Sequence, residues 1–165
     1  MTYKQALREC EVFSGLSDTE LDKVASFVVE KQYEAGSTIF AAGDNAEELF
    51  VLQEGRVAVQ MTLPKASGQA SRRITVDVVT KNEILGWAAI VEPYKYTFTD
   101  VCMQQTVALS INGNQLRWLL RDNPKAGYEI LKGLIKVVAS RLDDTRQVLV
   151  SERLLTGVIK KEASK

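Results

Sequence analysis

The chain predicts an α+β protein, mainly β: an antiparallel barrel or roll between short N-terminal helices and one long C-terminal helix. Three observations carry this. The hydrophobic period is helical before Val28, strand-like from Val28 to Ile111, and helical again afterwards. The central part consists of short β-branched runs with glycines between several of them, the pattern of antiparallel strands joined by tight turns. After Pro124 no further proline interrupts the chain. A chain of 165 residues is of one-domain size, with a core and an appended helix.

Residues 3–11 suit a short helix, and Phe13-Ser14-Gly15-Leu16 a turn. Ser17 followed by Glu20 is a capping-box pattern, so a second helix is expected from Asp18 to about Phe27. Its Leu21, Val24 and Ala25 share one face. The strand runs are Val28-Val29, Thr38-Ile39-Phe40, Leu49-Phe50-Val51-Leu52, Val57-Ala58-Val59 and Ile74-Thr75-Val76-Asp77-Val78. Gly36, Gly43 and Gly55 mark turns between them. The polar segment Leu63 to Arg73 reads as a long hairpin tip.

Asn112 can cap a helix over Gln115–Arg121. Asp122 or Asn123 can cap the next, with Pro124 in its first turn, where a missing N–H costs nothing. Tyr128, Leu131, Ile135, Val138, Leu142, Thr145 and Leu149 recur at spacings of three and four, a coiled-coil seam. Such a seam serves either a helix-mediated dimer or packing on the chain's own roll. The expected organisation is residues 1–122 for the N-terminal helices and roll, 123–158 for the long helix, and 159–165 for a tail.

Composition narrows the function. Lys plus Arg and Asp plus Glu number 21 each, so no basic excess points to direct nucleic-acid binding. Histidine is absent, which removes the commonest zinc ligand and the commonest general base near neutral pH. A Ser-His-Asp or Cys-His site within this chain is impossible. Cys10 and Cys102 have no metal-ligand spacing and read as buried thiols. No catalytic or metal-ligating residue is assigned, and no cofactor is expected. No apolar run reaches the ~18 residues of a membrane span, and no signal-peptide segment opens the chain. A cytoplasmic location is the expectation.

Residues 84–101 are the most informative stretch. Gly86 ends a strand-like segment, Trp87-Ala88-Ala89-Ile90 follows, then Pro93, then the strand-like Thr97-Phe98-Thr99. This is the layout of a small pocket for an anionic ligand.

In order and spacing, the chain from about Phe13 to Thr145 resembles the cyclic-nucleotide-binding domain family. These are the sensor domains of catabolite activator proteins and of protein-kinase regulatory subunits. The resemblance lies in Phe13-Ser-Gly-Leu16, Tyr33-Glu-Ala-Gly-Ser-Thr-Ile-Phe40, Gly43-Asp44, Phe50-Val-Leu-Gln-Glu-Gly-Arg-Val57, Ile111-Asn-Gly-Asn-Gln-Leu-Arg117 and Arg141-Leu-Asp-Asp-Thr145. It implies a jelly-roll-like double β-roll and a dimerisation helix. In the family, a glycine is followed by a glutamate for the ribose hydroxyl. Ten positions after the glycine an arginine grips the phosphate with its planar fork, and a small or hydroxyl residue follows.

Gly86, Ala88, Ala89 and Thr97 match that pattern. Trp87 stands at the glutamate position and Tyr96 at the arginine position. Lys95 is next to Tyr96, but adjacent strand residues point to opposite faces. A phosphodiester buried without a cation loses several kcal/mol to desolvation. Thr145 matches a dimer-helix hydroxyl that reaches the nucleotide base in catabolite activator proteins; as a polar seam position it would instead set helix register.

The resemblance therefore implies a non-enzymatic, ligand-sensing regulatory module, dimeric through the long helix, with atypical or lost binding of cyclic AMP or cyclic GMP. Its candidate ligand residues are Gly86, Trp87, Ala88, Ala89, Tyr96, Thr97 and Thr145. A small-molecule ligand, a homodimer partner and an unidentified effector protein are the expected partners; neither a membrane nor nucleic acid is. Two alternatives stand beside it. One is the sensor part of a catabolite-activator-like transcription regulator, since about a dozen residues after Leu154 are too few for a DNA-binding domain. The other is a protein-interaction module with a closed pocket.

Overall fold

A computed structural model describes residues 2–64, 68 and 70–163. Helix α1 (Tyr3–Glu9) is capped by Thr2, whose side chain accepts the Gln5 N–H. Helix α2 (Asp18–Ala25) has the expected capping box: Ser17 Oγ accepts from Glu20 N–H while the Glu20 carboxylate accepts from Ser17 N–H. The helix stops two residues short of Phe27, where the chain turns into β1 (Val28–Tyr33).

The strands that follow are β2 (Thr38–Phe40), β3 (Glu48–Glu54), β4 (Val57–Leu63), β5 (Arg72–Val79), β6 (Ile84–Leu85), β7 (Thr99–Cys102) and β8 (Thr106–Asn112). Among the described residues they form two antiparallel four-stranded sheets, ordered β1-β8-β3-β6 and β2-β7-β4-β5. The β-roll is thus the observed architecture. β4 and β5 pair from Val57–Val79 out to Leu63–Arg72, giving the expected hairpin; residues 65–67 and 69 of its connection lie outside the described residues.

The core lies between the sheets and under the helices. Phe13, Leu21, Phe50, Leu52, Ile84, Leu85, Leu109, Ile111 and Leu116 are fully buried. Each such side chain contributes roughly 1.5–3 kcal/mol by leaving water. Cys10 and Cys102 are buried free thiols. Burial pushes the Cys10 thiol up to about 11, so it stays protonated and inert.

Helix α3 (Gly113–Asp122) starts at Asn112, whose side chain accepts the Gln115 N–H at 3.1 Å. Asn123 then caps α4 (Pro124–Ala163) by accepting the Ala126 N–H, and its amide also donates to Glu20 at 3.0 Å. One side chain therefore starts α4 and ties it to α2. Ala126, Ile130 and Leu134 bury the inner face of α4. Gly133 lets the helix come close: a Cβ there would lie 2.7 Å from Val12 Cα. The helix continues past the expected end at 158, through most of the residues assigned to a tail. Among the described residues, no helix is long and apolar enough to cross a membrane.

Candidate functional site

The pocket segment begins where β6 leaves β3. Gly86 has φ 76° and ψ 31°, the left-handed region. A Cβ there would meet Glu48 O at 2.9 Å, Tyr96 Cε1 at 3.2 Å and Phe40 Cε1 at 3.3 Å. Both conformation and space therefore require glycine. A 3-10 turn, Trp87–Ile90, follows, with Ala88 and Ala89 buried. Ala89 packs beneath Gly113, and its carbonyl accepts from the Arg117 guanidinium. Small residues are needed here because α3 lies directly on the turn.

The return segment is pinned to residues 43–46 by backbone bonds: Gly43 N–H to Tyr96 O, Tyr96 N–H to Asp44 O, and Ala46 N–H to Tyr94 O. This sets the alternation of side chains. Lys95 is exposed and donates to Asn45 Oδ1, while Tyr96 points into the roll. The lysine side chain therefore lies outside the interior of the roll.

Tyr96 fills the space. Its ring stacks on Phe40 with centroids 3.8 Å apart and planes 13° apart. Its hydroxyl donates to Glu48 O at 2.7 Å and accepts from Glu48 N–H at 3.2 Å. Burial pushes the phenol up to about 12, so it is neutral at any physiological pH. Ring and hydroxyl are both spent within the protein. The cavity that remains, bounded by Gly86, Trp87, Thr97, Phe98 and Asp100, measures about 20 Å³. That suffices for one water, far below the ~300 Å³ of a small-molecule site.

The opposite wall is charged, and composition and spacing did not single it out. Arg141 reaches the cavity from α4 and is 7% exposed. Its Nε donates to Asp77 Oδ2 at 2.8 Å, and its guanidinium carbon lies 4.8 Å from the Trp87 ring centroid. Trp87 also meets Phe98 edge-on, at 6.2 Å. Asp100 completes the wall at 2% exposure. Burial pushes its carboxyl up to about 7; Arg141 pulls it down and Asp77 pushes it up. The available signal was an aspartate set twice among strand-forming residues, in Thr75-Val76-Asp77-Val78 and Thr99-Asp100-Val101. Aspartate is depleted in strands and seldom buried without a partner.

Of the predicted ligand residues, Gly86, Trp87, Ala88, Tyr96 and Thr97 line this one cavity, and Ala89 supports it from behind. Thr97 is exposed at its rim. Thr145 lies elsewhere, in an open groove of about 980 Å³ between α4 and the β4–β5 hairpin, with Leu63, Leu142 and Leu149. Its Oγ1 is buried and has no hydrogen-bond partner among the described residues. Of the seam residues, Tyr128, Leu131, Ile135, Leu142 and Leu149 are exposed, while Val138 and Thr145 are half-buried. No group of three or more His, Cys, Asp or Glu side chains is placed to hold a metal among the described residues.

Comparison with known proteins agrees with this fold. A family model for the cyclic nucleotide-binding domain matches residues 30–123. The CRP-like cAMP-activated global transcriptional regulator of Mycobacterium tuberculosis is 22% identical over 145 residues, covering 88% of this chain and 61% of that protein. The chain thus spans about 61% of the length of the curated relatives it matches. A protein from Geobacter metallireducens GS-15, provisionally described as cyclic nucleotide-binding, superposes with a TM-score of 0.72 at 28% identity, over 86% of this chain and 99% of that one. The N-terminal domain of a transcriptional regulator from Streptomyces coelicolor A3(2) superposes with a TM-score of 0.65 at 25% identity, over 87% of this chain and 94% of that domain. The matched residues, the two-sheet roll and the glycine-led pocket turn make this chain a member of the cyclic nucleotide-binding domain family.

Proposed function

We propose that this chain is a non-enzymatic regulatory module whose roll pocket does not hold cyclic AMP or cyclic GMP by a phosphate grip, and which dimerises through α4. One observation carries the reading: Tyr96 occupies the arginine position, stacked on Phe40 and hydrogen-bonded at its hydroxyl to Glu48. A phosphate entering there would displace a packed ring, and the guanidinium that lines the cavity, Arg141, is already engaged through its Nε by Asp77. The phosphate would also face Asp100. Isothermal calorimetry with cyclic AMP and cyclic GMP should give no heat of binding at micromolar ligand; sub-micromolar binding of either would overturn the reading.

The dimer is supported by the outward apolar stripe on α4, where Tyr128, Ile135 and Leu142 are 64%, 70% and 70% exposed. A stripe of this kind, at coiled-coil spacing, suits a second copy of the same helix. A mass of one chain by light scattering at high concentration would contradict it. The pocket would then be a rigid element that positions α4 against an effector, in a cytoplasmic setting.

A second reading has this chain as the sensor portion of a catabolite-activator-like transcription regulator. It is favoured by the likeness to the mycobacterial regulator and to the Streptomyces N-terminal domain. Neither reading has these residues touching nucleic acid, given a net charge of zero. Tight binding of the purified chain to duplex DNA at moderate salt would count against both.

A further inference from the structure

The cavity is closed to a nucleotide, yet its far wall is not an ordinary apolar core. β5 and β7 both flank β4, and Val59 pairs with Asp77 on one side and with Asp100 on the other. The two aspartates therefore stand in one row across the sheet, two strand spacings or ~10 Å apart along the backbone. The β4–β5 register shifts between Val59 and Gln60, beside this row. Bulges of this kind re-aim side chains next to sites. Asp100 is 2% exposed, and its Oδ1 has no hydrogen-bond partner among the described residues. Into this wall comes a guanidinium, held by Asp77 at 2.8 Å and lying 4.8 Å from the Trp87 ring. A half-buried carboxylate, a buried carboxyl and an aromatic face are the parts of a receptor for a planar cation.

We propose that the roll pocket is a cation site of alkylguanidinium chemistry, and that the Arg141 side chain of α4 is its self-supplied occupant. The proposal rests on the reading that the pocket does not grip a nucleotide phosphate, and it reverses the sign of the ligand. Occupancy latches α4 onto β5 and β7. A free alkylguanidinium that displaced Arg141 would release the part of α4 that carries Leu142 of the outward stripe.

The test uses the full chain in a Trp118→Phe background, with ethylguanidinium as the probe, so that fluorescence reports Trp87 alone. Arg141→Ala leaves the half-buried Asp77 carboxylate and the buried Asp100 carboxyl without their cation and should raise the unfolding constant by about 100-fold or more. Millimolar ethylguanidinium should recover part of that loss, read as a rise in Tm and a change in Trp87 emission. Ethylurea, of similar shape but neutral, should not. Arg141→Ala combined with Asp77→Asn and Asp100→Asn should lose the response. Absence of rescue, or equal rescue in the carboxamide variant, overturns the proposal.

Should Arg141→Ala fail to fold, a double-mutant cycle of Arg141→Met and Asp77→Asn decides instead. Coupling of about tenfold in the unfolding constant is expected, and additivity overturns the site. Cyclic AMP calorimetry on the unaltered chain is read separately. Binding there overturns the closed-pocket reading and the sign reversal together, whereas failed rescue without nucleotide binding overturns the cation site alone.

Discussion

Two side chains close the roll pocket from opposite walls: Tyr96 from the segment after Gly86, and Arg141 from α4. Tyr96 is neutral. It is held by stacking on Phe40 and by the backbone of Glu48. Arg141 is charged. It is held by Asp77, by the Trp87 face and by the field of Asp100. The first wall is filled by the packing of a neutral ring, the second by a paired charge. Filling by packing is indifferent to pH. Filling by charge depends on the protonation of a buried carboxyl, so the two walls can be separated by experiment.

The largest effect is expected on the neutral wall. Tyr96→Ala removes a buried ring and strands the Glu48 backbone groups, at a cost of about 3–5 kcal/mol in urea unfolding. Tyr96→Phe keeps the ring and should cost about 1 kcal/mol. If both variants lost the same amount, the hydroxyl rather than the stacking would be the support, and the contrast between the walls would fail.

The charged wall should show itself in pH. Asp100 has a folded pKa of about 7 against 3.8 for the ordinary side chain. As pH rises from about 4, the unfolded chain loses this proton first. Stability from this group therefore falls between about pH 4 and 7 and levels off above. The full change is on the order of 4 kcal/mol. Asp100→Asn should flatten this slope in denaturation series at several pH values, while Tyr96→Phe should leave it intact. A slope unchanged by Asp100→Asn would remove the distinction.

A smaller loss is expected at the floor both walls share. Gly86→Ala imposes the left-handed region on a residue with a Cβ and presses it against Glu48 O, costing about 2 kcal/mol. The smallest effect concerns the outward face of α4. Ile135→Asp with Leu142→Asp should leave the stability of the single chain within about 0.5 kcal/mol, while shifting the mass seen by light scattering toward one chain. A large loss of single-chain stability would show that these side chains support the roll rather than a second copy.

Much of the fold was legible along the chain. Ser17 with Glu20, Asn112 and Asn123 each cap the helix they precede, because capping is a contact over three residues. The strand runs and turn glycines marked the roll because period and φ > 0 are local properties. The two aromatic residues of the pocket segment, Trp87 and Tyr96, were also legible. What those rings do was not: the partners of Tyr96 lie at Phe40 and Glu48, more than forty positions away. The two sheet aspartates were visible only as oddities of composition, and Arg141 only as part of the long helix.

The amino-acid sequence by itself determined the elements, their order and the family, because each follows from short-range spacing. Only the tertiary structure decided that the space beside Gly86 is filled, and by what. That outcome depends on β4 setting Asp77 and Asp100 in one row and on α4 lying close enough for Arg141 to reach them. Charge burial is a property of neighbours in space, and those neighbours come from three separate parts of the chain.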